Sequence, residues 1–140
     1  MDTRLQDALN LLLESERAGT LALEVLAGEV EQEGLRRFLR GSREEEARNV
    51  RELEALIRAG GGTPSEKIGP FAAKVAALPT VRERLNLMSR GQEWAARKTE
   101  DALAVAPSTG PIHDFLAAMA NHHRAEVEWG RAEVIRLLSA

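Results

Sequence analysis

The chain has 140 residues, the size of one domain, and 44% of them are apolar, enough to bury a core without disulfide staples. It contains no cysteine, which excludes a disulfide framework, thiol catalysis, zinc–cysteine sites and iron–sulfur ligation. A net charge of −3, from 19 basic and 22 acidic residues, argues against a nucleic-acid binder and against a strongly basic membrane-surface protein.

The opening stretch, Met1 to Asn10, mixes charges and has no apolar core followed by a small-residue cleavage site, so no signal peptide is expected. No apolar run approaches the roughly 20 residues that cross a bilayer. A cytoplasmic location without membrane contact is the expectation. There is no Tyr and almost no alternating segment, so strand signals are weak. Ala, Leu, Glu and Arg dominate, and these are good helix formers.

The spacing predicts a first helix from about Thr3 to Glu31, with Asp2 or Thr3 as its N-cap, and a second from Gly34 to Ala59 that stops at Gly60-Gly61-Gly62. Those glycines lack the Lys and strand context of a phosphate cradle. The connection Gly60 to Pro79 is longer, and Thr63-Pro64 is read as opening a short helix over Pro64 to Leu78. Thr80 and Glu83 form a capping box for the third long helix, which ends near Ala106 before Pro107-Ser108-Thr109-Gly110. Pro111, a residue favoured in a first turn, opens the fourth, which runs almost to Ala140. The expected architecture is all-α: one four-helix bundle over residues 1–140, built from two antiparallel hairpins. The long connection lets the third long helix start from the far end of the bundle.

Wound at about 100° per residue, each helix shows an inward stripe of Leu, Val, Met and Ala with polar residues near its middle. These are Glu16 on the first, Ser42, Glu46 and Asn49 on the second, Gln92 on the third, and His123 with Glu126 on the fourth. Helices of similar length share their midpoints, so the polar residues are expected to meet in one central layer. Three carboxyls there cannot all stay ionised without a cation, and no Arg or Lys falls inside the stripes. Two solutions are open. A divalent metal neutralises the layer, carboxylates and imidazole suiting iron, manganese or zinc. Otherwise the carboxyls hold protons, shared with His123, and Ser42, Asn49 and Gln92 hydrogen-bond them in a metal-free layer that fixes helix register.

These residues resemble the ferritin-like superfamily, in which two helices each give a Glu and two each give a Glu-x-x-His motif to a di-metal site. Glu16 matches the first Glu, and Glu46-Ala47-Arg48-Asn49 matches Glu-x-x-His with Asn49 in place of His. Gln92 stands at the third helix's Glu position. Ala120-Asn121-His122-His123 matches the last motif with Ala120 in place of Glu, and Glu126, one turn on, can substitute. More narrowly, the chain resembles an uncharacterised family of short ferritin-like domains, over Leu12 to Gly19, Glu44 to Asn49, Gly69 to Ala73, Leu85 to Lys98 and Met119 to Glu126. The resemblance implies the bundle and a degenerate site in which Asn49, Gln92 and Ala120 replace ligands. Only Glu16, Glu46 and His123 keep the superfamily's residue type, which argues against ferroxidase or peroxidase chemistry.

Three functional readings follow. In the first, Glu16, Glu46, His123 and Glu126 hold at most one divalent metal, or the layer binds a small ligand. In the second, the protein is a non-catalytic homodimeric interaction module with a metal-free polar layer. In the third, Glu126 restores an iron-dependent oxidase. The dimer is expected from a second apolar line on the first helix, Leu11, Ala18, Leu21, Ala22 and Val25, facing away from the core. Trp94 and Trp129 lie off their stripe centres, as packing between neighbouring helices or at that interface. His113 and His122 are read as surface or partly buried residues, and Glu44 and Glu45 as a solvated face.

Overall fold

The computed structural model describes residues 1–139; within the last helix the side chains of Trp129, Glu133, Val134, Leu137 and Leu138, and so the expected packing of Trp129, lie outside the described part. Five helices follow in order: α1 (Thr3–Glu29), α2 (Glu33–Ala59), α3 (Phe71–Ala76), α4 (Val81–Val105) and α5 (Pro111–Ser139). The expected start signals operate. Asp2 accepts the amides of Arg4 and Leu5, and Thr80 accepts the amide of Glu83. Each such cap is worth about 1 kcal/mol. The stop after α2 is a run of tight amide–carbonyl bonds from Gly60, Gly61 and Gly62 back to Leu56, Arg58 and Ile57. Gly61 sits at φ +81°, where a side chain would be strained.

α1 packs against α2 and α4, and α5 packs against the same two helices, so the four rods close into a square. Two apolar layers fix their directions. One joins Leu23 and Leu26 of α1, Leu35 and Leu39 of α2, and Leu85 and Met88 of α4. The other joins Leu5 and Leu9 of α1, Leu53 and Ile57 of α2, Ala102 of α4, and Leu116 and Met119 of α5. The start of α1 therefore meets the ends of α2 and α4, and each rod is antiparallel to both neighbours. α2 and α4 lie on a diagonal and run the same way. This is why the chain between them must cross the length of the bundle.

That crossing corrects the helix expected over Pro64 to Leu78, of which only Phe71–Ala76 is helical. The stretch before it is an extended strap along α1. Gln6 Oε1 accepts the Thr63 amide, and the Asn10 side chain bonds both the Thr63 carbonyl and the Ser65 amide. Glu14 offers its backbone carbonyl to the Gly69 amide, and Arg17 Nη1 donates to the carbonyls of Ser65 and Lys67. Residues 6, 10, 14 and 17 share one face of α1, so the strap's amides and carbonyls find partners there instead of in a helix of their own.

The strap and α3 also revise the second apolar line. Ala18 and Ala22 are buried, Ala22 in the same apolar cluster as Val75 of α3. Only Leu11, Leu21 and Val25 remain exposed, at 42%, 42% and 56%. Among the described residues no helix is long and apolar enough to cross a membrane.

Candidate functional site

Between the two apolar layers each of the four long helices contributes one member of a polar ring: Glu16 from α1, Glu46 from α2, Gln92 from α4 and His123 from α5. Glu16, Glu46 and His123 are 1%, 5% and 0% exposed. The contacts close a ring. His123 Nε2 lies 2.7 Å from Glu16 Oε1, and His123 Nδ1 lies 2.5 Å from Gln92 Oε1. Gln92 Nε2 donates to Glu46 Oε2 at 2.9 Å, and the Glu46 and Glu16 carboxyls hydrogen-bond each other. From outside the ring, Asn49 Nδ2 donates to Glu16 Oε1 at 3.1 Å.

Valence sets where the hydrogens lie. The Gln92 amide nitrogen can only donate, so its oxygen must accept, and His123 Nδ1 carries a proton. Burial pushes the Glu16 carboxyl up to about 7 and holds Glu46 well above the carboxylate range. The same burial pulls His123 below the usual imidazole range. The proton between Glu16 and His123 therefore rests on Glu16. The result runs head to tail: Glu46 donates to Glu16, Glu16 to His123, His123 to Gln92 and Gln92 to Glu46. Within the ring every member donates once and accepts once, and while Glu16 and Glu46 keep their protons the ring carries no formal charge. Its desolvation cost is far below that of buried ions.

Gly19 makes the ring possible. A Cβ on residue 19 would stand 2.0 Å from Glu46 Oε1, so any other residue on α1 would expel that carboxyl. Gly91 plays the same part for Phe71, whose ring lies where a Cβ on residue 91 would point. Glycines inside helices cost about 1 kcal/mol each. The signal was present in the sequence, without a sign of which side chain filled the space.

Glu126 stands apart from the ring. Its Oε1 accepts from Ser42 Oγ at 3.1 Å and lies 3.0 Å from His122 Nε2. The Glu126 carboxyl at this distance holds His122 above the usual imidazole range. Ala120 is buried in the core, and His113 is half-buried beside Asp114. Among the described residues no group of three or more His, Asp or Glu side chains is placed to hold a metal ion. The donor chemistry agrees: the oxygen and nitrogen atoms of the ring point at one another at hydrogen-bond distance, not at a shared centre. As arranged, these residues do not fit a di-metal group.

A cavity of about 480 Å³ opens beside the ring, between α1, the strap, α3 and α4. Glu46, Gln92 and Gly19 line its buried end, and Phe71, Leu87, Met88, Trp94 and Ala95 line its walls. Sequence reasoning missed it because two of its sides are the strap and α3, whose course depends on contacts with distant residues.

Four rods, one crossover and one buried carboxyl–imidazole layer define an all-α helical bundle. Residues 3–133 match the family described as a domain of unknown function, DUF6306, and the chain belongs to that family. No curated protein matches it. No solved structure matches it either.

Proposed function

We propose that this protein is a non-catalytic binding module of ferritin-like architecture, in which a pocket beside a metal-free polar ring takes one small, largely apolar molecule. The ferritin-like reading is supported by the single long crossover and by a mid-height polar layer to which every long helix contributes. The binding reading is carried by one observation: a cavity of about 480 Å³ with apolar walls ends on Glu46 and Gln92. Ligand sites are commonly apolar clefts of this size with a few polar groups that orient the guest.

The test uses a neutral fluorescent probe, N-phenyl-1-naphthylamine, titrated into the Trp129→Phe variant so that Trp94 is the only indole. One probe per chain, with energy transfer from Trp94 and loss of binding in Ser15→Phe, is the expected result. Ser15 lines the cavity and is half-buried, so the larger ring fills the space. Binding that does not saturate, or that ignores Ser15→Phe while circular dichroism shows an intact helical fold, overturns the reading.

The convergence of Glu16, Glu46 and His123 favours a second reading, one divalent cation held by these three and Glu126. It requires the ring's acidic protons to leave, so affinity would climb with pH. Iron, manganese or zinc would then raise the melting temperature at pH 8, and Glu46→Gln would abolish the rise. Oxidation of added ferrous iron faster than in buffer would extend this to an oxidase. Exposed Leu21 and Val25 favour self-association, and light scattering on Leu21→Glu tests that separately.

A further inference from the structure

Two exposed cations, Lys74 of α3 and Arg90 of α4, line the outer part of the cavity. Among the described residues neither has an ion-pair or side-chain hydrogen-bond partner. Two acids line the cavity with them: Glu14, which is half-buried, and Glu46, which is buried in the ring. The walls between are Leu11, Phe71, Leu87, Met88, Trp94 and Ala95.

This arrangement sorts ligands by polarity along one axis. An anionic group at the buried end would shed its water with no cation there to pair with, since Glu46, Gln92 and Gly19 line that end. At the mouth the same group meets two unpaired cations in partial solvent, where a charge pair is favourable and carries a small desolvation cost. An apolar body gains most against the apolar walls, where the Trp94 and Phe71 rings suit flat or branched hydrocarbon. We propose that the pocket selects small amphipathic anions, seated with the apolar body inward against Phe71, Leu87, Met88 and Trp94 and with a carboxylate or sulfonate outward between Lys74 and Arg90. The inference rests on the pocket reading above and adds the class and orientation of the guest.

Two probes that share one aromatic body separate the two claims. 1-Anilinonaphthalene-8-sulfonate carries the anion, and N-phenyl-1-naphthylamine lacks it. Both are titrated into Trp129→Phe and into the same background with Lys74→Ala and Arg90→Ala added. Both substituted residues are exposed, so the fold is expected to survive; circular dichroism checks this, and the singly substituted chains serve if the pair does not fold. The expected result is that the sulfonate probe binds once per chain, weakens about tenfold on removal of the two cations, and weakens again as salt is raised. The neutral probe changes less than about twofold. Charge reversal, Lys74→Glu with Arg90→Glu, deepens the loss for the sulfonate probe alone. If both probes bind and neither responds to the cation variants, the anionic class is overturned while the pocket stands. If neither probe binds with energy transfer from Trp94, both the class and the pocket fall.

Discussion

Gly19 and Glu46 divide one space between them: the hydrogen at Gly19 Cα stands where any Cβ would collide with Glu46 Oε1, at 2.0 Å. This gives an unusual sign to a helix substitution. Gly19→Ala gains up to about 1 kcal/mol of helix propensity but forces a buried carboxyl out of a hydrogen-bonded ring, at a cost of about 1–3 kcal/mol. A net loss of about 1 kcal/mol is expected. In a Glu46→Ala background the collision is gone, and Gly19→Ala should become neutral or stabilising. Urea unfolding of the four chains closes the cycle; equal effects in both backgrounds would dismiss the coupling.

Stability should fall as pH rises. The Glu16 and Glu46 carboxyls have folded values above their ordinary 4.5, so the folded state holds protons that the unfolded chain has lost. Their contribution is complete below about pH 4.5 and is lost as pH climbs, for Glu16 through about 7. Each proton gives a slope of about 1.4 kcal/mol per pH unit. His123 acts in the other direction, because its folded value is lowered from 6.5 and its contribution declines as pH drops below that. Two carboxyls outweigh one imidazole, so a net decline from pH 5 to 8 is expected in urea melts. Glu46→Gln, whose amide donates and accepts as the protonated acid does, should remove about one proton's slope.

The two adjacent histidines should titrate apart. Nitrogen chemical shifts are expected to show His123 losing its charge at lower pH than a free imidazole, with the neutral ring's proton on Nδ1, where it meets Gln92 Oε1. His122 beside Glu126 should remain protonated to higher pH than a free imidazole. A His123 resonance with the proton on Nε2, or one that titrates together with His122, would contradict the head-to-tail order.

Cutting the strap from α1 should loosen one segment and spare the rest. Arg17→Ala removes the bonds to Ser65 and Lys67, and Asn10→Ala those to Thr63 and Ser65. Each is expected to cost about 1–2 kcal/mol. Amide hydrogen exchange should speed up across residues 62–76 while α2 and α5 stay protected. Uniform acceleration over the whole chain would show that the strap is no separate unit.

The long helices and their inward stripes were legible because a 3.6-residue period repeats over seven turns, and the mid-height meeting of Glu16, Glu46, Gln92 and His123 followed from helix length alone. Other features were not. Thr63-Pro64 reads as a helix start locally, yet the segment's hydrogen bonds go to Gln6, Asn10 and Arg17, about 50 positions away. Ala18 and Ala22 looked like an outer face because nothing in the local pattern announces α3 above them. Glu126 shares the inward stripe with His123, but one helical turn carries it to Ser42 and His122. Gln92 read as a lost ligand because spacing reports position and not the direction of a hydrogen bond.

That direction has a consequence of its own. Carboxyls and an imidazole can reverse by moving protons, but a carboxamide must turn over bodily to exchange its donor and acceptor ends. With Gln92 in the circuit, the layer is a latch and not a wire: protons are parked on Glu46, Glu16 and His123, and none can be relayed past the amide until it flips.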